Sequence, residues 1–143
     1  MSGFLLDTNV LSEFAKVQGP DRRVDKWLQA VPDETLYASV LTFAEIRRGI
    51  ELLPLGRRRT HLESWRENLQ VSFAGRLLPV TKSIADRWAV LSAQAQRRGI
   101  PLAIIDGLLA ATALEHNLTV VTRNSKDFAD LGVALLNPWV DER

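Results

Sequence analysis

The stretch FLLDTNVLSEF, residues 4–14, decides how this chain is read. Phe4, Leu5 and Leu6 make the short continuous apolar run of a buried strand, and the polar trio Asp7-Thr8-Asn9 ends it. Val10, Leu11 and Phe14 then recur at helical spacing, so a helix is expected over about residues 9–16, stopped by Gly19-Pro20. A carboxylate at the mouth of a first core strand needs a reason. Asp7 is a candidate helix N-cap, and it also stands where open α/β sheets build their ligand sites, at the carboxyl end of a strand.

Working outward, the same alternation repeats. RRVDKWLQAV is an amphipathic helix closed by Pro32, and LYASVL reads as a second strand. TFAEIRRGIELL begins a helix with Thr42 as its expected N-cap and Pro54 just past its end. Leu62, Trp65, Leu69 and Phe73 mark another helix, and LLPV is a strand whose proline favours a sheet edge. Thr81 caps a helix with the stripe Ile84, Trp88, Leu91 and Ala95, ended by Gly99. After Pro101 comes an apolar helix to about His116, then the strand LTVV, a polar turn with a short helix at RNSKDF, and a last strand VALL. Strands alternating with helices predict an α/β fold with a central, mostly parallel sheet covered on both faces. With 143 residues and no linker or repeat, one domain over residues 1–143 is expected.

Composition excludes several classes. The chain is 46% hydrophobic and 24% charged, which suits a globular core rather than disorder. Eighteen Lys+Arg against seventeen Asp+Glu give a net charge of +1, so a nucleic-acid role must rest on local charge. Without cysteine there is no disulfide, thiolate nucleophile or Cys-ligated zinc, which fits a reducing cytoplasm. No signal peptide is expected, and PLAIIDGLLAATAL, interrupted by Asp106, is a buried helix rather than a membrane span.

Set on this layout, four acids gather at one sheet edge. Asp7 ends the first strand, Glu45 opens the helix after the second, Asp127 follows LTVV, and Asp106 opens an apolar helix. Each has a plainer explanation. Asp7 caps a helix; Thr42-x-x-Glu45 is a capping box; Asp127 is the polar start of a short helix. Asp106 resists this, because its flanks are apolar and no Arg or Lys lies within four residues. By contrast Asp86, Glu63, Glu67 and Glu115 read as solvated helix residues, and His61 and His116 as surface or helix-end residues.

Carboxylates within ~4–6 Å of one another resist full ionisation unless a cation neutralises them. An all-oxygen donor set selects a hard cation, Mg2+ or Mn2+. Such a site suits a phosphate ester, and Thr8, Asn9, Thr122, Arg123 and Asn124 surround it with groups fitted to ligand positioning. Arg47-Arg48, Arg57-Arg58-Arg59 and Arg97-Arg98 offer tracks for a nucleic-acid backbone, but each is also an ordinary solvated helix end.

DTNVLSE, the Thr42-to-Glu45 pattern, RRGIPLAIIDGLLAATALEH, LTVVTRNSKDF and the closing NPW together resemble a PIN domain, and more narrowly the VapC/FitB-type toxins of bacterial toxin–antitoxin pairs. The likeness spans nearly the whole chain. It implies a three-layer α/β/α fold and a cytoplasmic, Mg2+- or Mn2+-dependent endoribonuclease leaving 3′-hydroxyl and 5′-phosphate ends. The family's acidic positions fall on Asp7, Glu45, Asp106 and Asp127, its supporting polar positions on Thr8, Asn9, Thr122 and Asn124. The resemblance also implies a homodimer and a VapB/FitA-like antitoxin, with DNA met only through that partner. The antitoxin would lie over the early helices, which offer Leu11, Phe14, Trp27 and Leu28, although helical spacing makes most of these core residues.

The rivals are a PIN-type nuclease with a housekeeping role in RNA processing and a non-catalytic Mg2+-binding receiver-like switch. The switch wants a phospho-accepting Asp ending a mid-chain strand, and LLPVTKS supplies Lys82 but no such Asp. A haloacid-dehalogenase-type phosphatase needs a second Asp where Asn9 stands.

Overall fold

The computed structural model describes residues 3–140. Its strands are β1 Gly3–Leu6, β2 Leu36–Ser39, β3 Leu77–Leu78, β4 Leu118–Val121 and β5 Leu135–Leu136. All pair in parallel, in the order β3-β2-β1-β4-β5, so the first strand of the chain lies at the centre of the sheet. The helices are α1 Thr8–Ser12, α2 Arg22–Ala30, α3 Val40–Glu51, α4 Arg57–Ser72, α5 Lys82–Arg97 and α6 Ile104–His116.

Two cores sandwich the sheet, and the period-2 alternation of strand side chains divides them. Leu6, Leu36, Ala38, Val121 and Leu136 face one cluster, with Val24 and Trp27 of α2 and Phe43, Ile46 and Ile50 of α3. Leu5, Leu118 and Val120 face the other, with Leu109, Ala110 and Ala113 of α6. Leu5 and Leu6 are each 1% exposed, so neighbouring residues anchor β1 to opposite halves of the core. Full burial of each side chain contributes about 2–3 kcal/mol. Phe4 adds an edge-to-face contact with Trp27 at 5.0 Å between ring centroids.

α5 and α6 approach closely because α6 is built of small residues where they meet. A Cβ on Gly107 would stand 2.8 Å from Trp88 Cδ1, so glycine is required there. This packing fixes the start of α6 and with it Asp106, the residue before Gly107.

Three local expectations are corrected. Strand β2 ends at Ser39, and α3 begins at Val40 rather than after Thr42. Ser39 Oγ accepts from the Leu41 N–H at 3.0 Å and is the actual cap; the apolar Val40-Leu41 only imitates a continuing strand. Thr42 lies buried inside the first turn, its hydroxyl without a hydrogen-bond partner, so no capping box exists. The first helix also stops early, at Ser12, followed by a 3-10 turn over Glu13–Ala15. The cause is Glu13, which is 4% exposed. Its Oε1 accepts from the Asp21 N–H at 2.9 Å and its Oε2 pairs with Lys16 at 2.6 Å, drawing the following loop back onto the helix. As expected, β3 is a short edge strand, Thr81 caps α5 through the Ile84 N–H, and Gly99, at φ +69°, ends that helix.

Candidate active site

Asp7, Asp106 and Asp127 lie where the sheet's carboxyl edge meets the helix starts, whereas Glu45, expected to open its helix, sits in the second turn of α3 because that helix begins at Val40. Asp7 follows β1 and is 8% exposed. Its Oδ1 accepts from the Thr8 N–H at 2.7 Å, so it does cap α1, and its Oδ2 accepts from the Thr122 hydroxyl at 2.8 Å. The capping role and a site role therefore coexist, because each oxygen keeps a lone pair for a further ligand.

Thr122 lies one residue past β4, in the strand register that pairs Leu6 with Val121. Its hydroxyl is fully used: it donates to Asp7 and accepts from Asn9 Nδ2 at 3.3 Å and from the Asn124 N–H at 3.0 Å. Asn9 Oδ1 accepts in turn from the Arg123 N–H at 3.3 Å. The four supporting polar residues are thus brought to the site, three of them in one hydrogen-bonded chain that fixes Asp7.

Thr8 supplies the remaining link. Its hydroxyl donates to Glu45 Oε1 at 2.6 Å, tying α3 to the end of β1. Asp106 stands in the first turn of α6, and Asp127 in a 3-10 turn over Ser125–Phe128. Burial first, then the negative charges of Asp7, Asp127 and Glu45, push the Asp106 carboxyl up to about 6. Burial likewise raises Asp7, against the hydrogen bonds from Thr122 and Thr8 that pull it down, while Asp127 adds to the rise. Four acids from four segments therefore feel one another. Among the described residues, none of them forms an ion pair with Lys, Arg or His.

The acids set aside from the sequence behave differently. Asp86 pairs with Lys82 at 2.7 Å, Glu63 with Arg59 at 3.6 Å, and Glu115 with Arg87 at 3.3 Å; Glu67 is exposed. His61 and His116 are exposed on separate helices. Of the four early apolar residues, Leu11 and Trp27 are core, at 3% and 5% exposure, while Phe14 at 36% remains accessible.

The donor set suits a hard divalent cation, being all oxygen and carrying uncompensated negative charge. Among the described residues no group of three or more His, Cys, Asp or Glu side chains is placed to hold a metal ion as the side chains stand. Mg2+ does not need such a group, since it keeps several waters and binds through one or two carboxylates.

Sequence reasoning named Arg123 and the closing NPW but not the contacts between them. Asn137 Nδ2 donates to the Arg123 carbonyl at 3.2 Å, Asn137 Oδ1 accepts from the Trp139 N–H at 2.9 Å, and the Arg123 guanidinium lies 5.3 Å from the centroid of the Trp139 ring. The NPW motif was visible, but nothing local ties it to Arg123. Beside Thr8 and Glu45 opens a groove of about 560 Å3, walled by Ala15, Ile50, Leu62 and Trp65.

A PIN domain family model matches residues 4–134. Toxin FitB of Neisseria gonorrhoeae is 41% identical over 138 residues, which cover 96% of this chain and 99% of that protein. VapC ribonuclease Y4jK of Sinorhizobium fredii is 41% identical over 136 residues, or 94% and 96% of the two chains. The crystal structure of FitAcB from Neisseria gonorrhoeae superposes with a TM-score of 0.89 at 40% identity, covering 96% of this chain and 99% of the other. A shared architecture with identity of this size over nearly full length leaves one assignment: the chain belongs to the PIN-domain family, with relatives of the VapC and FitB type.

Proposed function

We propose that this chain is a divalent-metal-dependent endoribonuclease and the toxin of a toxin–antitoxin pair. The carrying observation is the convergence of Asp7, Glu45, Asp106 and Asp127 from four segments, with no ion-paired basic side chain to neutralise them among the described residues. The curated relatives named a toxin and a VapC ribonuclease support the same reading.

Asp7, Asp106 and Asp127 would hold Mg2+ or Mn2+, with Glu45 as ligand or support. Bound there, the cation would polarise the phosphate and lower the pKa of a coordinated water. The chain's own contribution is placement. Thr122 and the Thr8 N–H fix both oxygens of Asp7, the Thr8 hydroxyl orients Glu45, and Asn9 with Asn124 fixes Thr122. Water attacks phosphorus opposite the 3′ oxygen, which leaves with a proton, so the products carry 3′-hydroxyl and 5′-phosphate ends.

Solved relatives include FitAB bound to a DNA fragment, which supports a FitA- or VapB-like antitoxin as partner; a homodimer and DNA contact through the antitoxin are further parts of the proposal. The apolar groove beside Thr8 and Glu45, with Phe14 nearby in sequence, fits a partner segment laid against the site. Among the described residues no helix is long and apolar enough to cross a membrane, in keeping with a cytoplasmic role.

The test is induced expression of the wild type beside Asp7→Ala and Asp106→Ala, with sequencing of cellular RNA 5′ ends. New ends and growth arrest are expected for the wild type alone. Equal growth arrest in all three without new ends would discard the reading.

A further inference from the structure

A cluster of four acids repels the polyanion it is meant to cut, and a net charge of +1 does little to offset that. A bound divalent cation would offset the charge at the cut itself, but the neighbouring phosphates of the strand call for a protein cation fixed beside the cluster. Several arginines are already engaged. Arg59 is taken by Glu51 and Glu63, Arg47 by Glu51, Arg87 by Glu115 and Arg23 by Asp21. Arg66 and Arg76 donate to backbone carbonyls and lie over Phe43 and Phe73.

Arg123 is different. Its guanidinium rests on the face of Trp139, a side chain only 4% exposed, and among the described residues no acceptor takes any of its five N–H donors. Its backbone is held from both sides, the N–H by Asn9 Oδ1 and the carbonyl by Asn137 Nδ2. Its neighbour Thr122 touches Asp7 directly. Exposed Arg22, Arg48, Arg57, Arg58, Arg97 and Lys126 also form no ion pair among the described residues, and Arg58 lines the groove beside Thr8 and Glu45, but none of these is stacked on a buried ring with its backbone held on both sides as Arg123 is.

We propose that Arg123, stacked on Trp139 and anchored by Asn9 and Asn137, forms a phosphate subsite on the β5 side of the acid cluster, taking a backbone phosphate of the substrate strand next to the scissile one. The inference rests on the nuclease reading and deepens it. An arginine suits the task because its planar fork binds phosphate bidentately and stacks on an indole at the same time. Pinning the side chain beforehand reduces the rotamer freedom lost on binding. The Asn137-Pro138-Trp139 motif thereby acquires a role in positioning.

The experiment uses the full chain carrying Asp106→Asn, so that binding is read without cleavage. Affinity for a short single-stranded oligoribonucleotide of mixed sequence is followed by fluorescence anisotropy across a salt series. Adding Arg123→Ala is expected to weaken binding about tenfold and to lower the salt slope by about 0.7, the value for one phosphate contact on a single strand. Arg123→Lys keeps the charge and is expected to restore the slope with only part of the affinity. In protein with all four acids intact, Arg123→Ala is expected to bind Mn2+ as the wild type does.

Unchanged affinity and slope in Arg123→Ala overturn the subsite while leaving the nuclease intact. Joint loss of RNA and Mn2+ binding also overturns it, since Arg123 would then be scaffold. A wild type that leaves no new RNA 5′ ends in cells and an Asp106→Asn protein that binds no RNA overturn the nuclease reading and the subsite together.

Discussion

Thr8 Oγ1 and Glu45 Oε1 stand 2.6 Å apart, a hydrogen bond between residues 37 positions apart that joins the end of β1 to α3. It replaces the capping box that Thr42 and Glu45 suggest in sequence, and it leaves Glu45 facing the other acids. Thr8→Val removes the donor at nearly constant volume. RNA cleavage is expected to fall about 10- to 100-fold, the usual cost of losing a partner that orients a ligand. Thr8→Ser keeps the hydroxyl and is expected to retain most activity in the same cleavage assay.

The raised Asp106 carboxyl makes metal-free stability depend on pH. Its folded value is about 6 against 3.8 for the free group, so the folded state binds the proton more tightly. The stabilisation is fully present below pH 3.8 and is lost as pH rises through 6. The full shift corresponds to ~3 kcal/mol, and solvent screening at this half-open position cuts it to ~1 kcal/mol. Asp106→Asn is therefore expected to be more stable than the wild type at pH 7 in the presence of a chelator. The two should converge near pH 4, where the wild-type carboxyl is protonated. Urea titrations at the two pH values check this; a constant gap between them contradicts it.

Adding Mn2+ reverses that order. The cation binds ionised carboxylates, so it stabilises the wild type by mass action and the Asp106→Asn protein much less. Below pH 6, where Asp106 takes up a proton, affinity is expected to fall by up to tenfold per pH unit. Calorimetric titration at pH 7.5 and 5.5 measures the fall directly. Equal affinity at the two values would remove Asp106 from the ligand set.

Gly107 couples packing to the site. Gly107→Ala places a methyl against Trp88, 2.8 Å from Cδ1, and is expected to cost about 1–3 kcal/mol. Because Asp106 is the adjacent residue, Mn2+ affinity should fall along with stability. Trp88→Leu added to Gly107→Ala opens space, and chemical denaturation is expected to show part of the loss recovered.

Much of this arrangement is legible locally. The apolar runs FLL and LTVV announce strands buried on both faces, and Asp106 stands out because its neighbours offer it no partner. What stays hidden depends on distance along the chain. Ser39 outcompetes Thr42 as cap because β2 ends there, a fact set by pairing with β1 and β3 rather than by the helix itself. The link from Asn9 to Arg123 crosses 114 positions, and no periodicity reports it. The brevity of α1 likewise follows from Glu13 reaching forward to Asp21.

The place of β1 in the sheet has a consequence for the birth of the protein. The strand that leads the chain sits at the centre, and Thr122, the residue just past its neighbour β4, is made 115 residues after Asp7. A nascent chain paused short of β4 holds Asp7 with neither Thr122 to orient it nor a closed sheet beneath it, and Asp127 has yet to be translated. The proposed cutting centre is therefore silent throughout most of its own synthesis. It can assemble only once the segment carrying β4, Thr122 and Asp127 has been made and has folded onto β1.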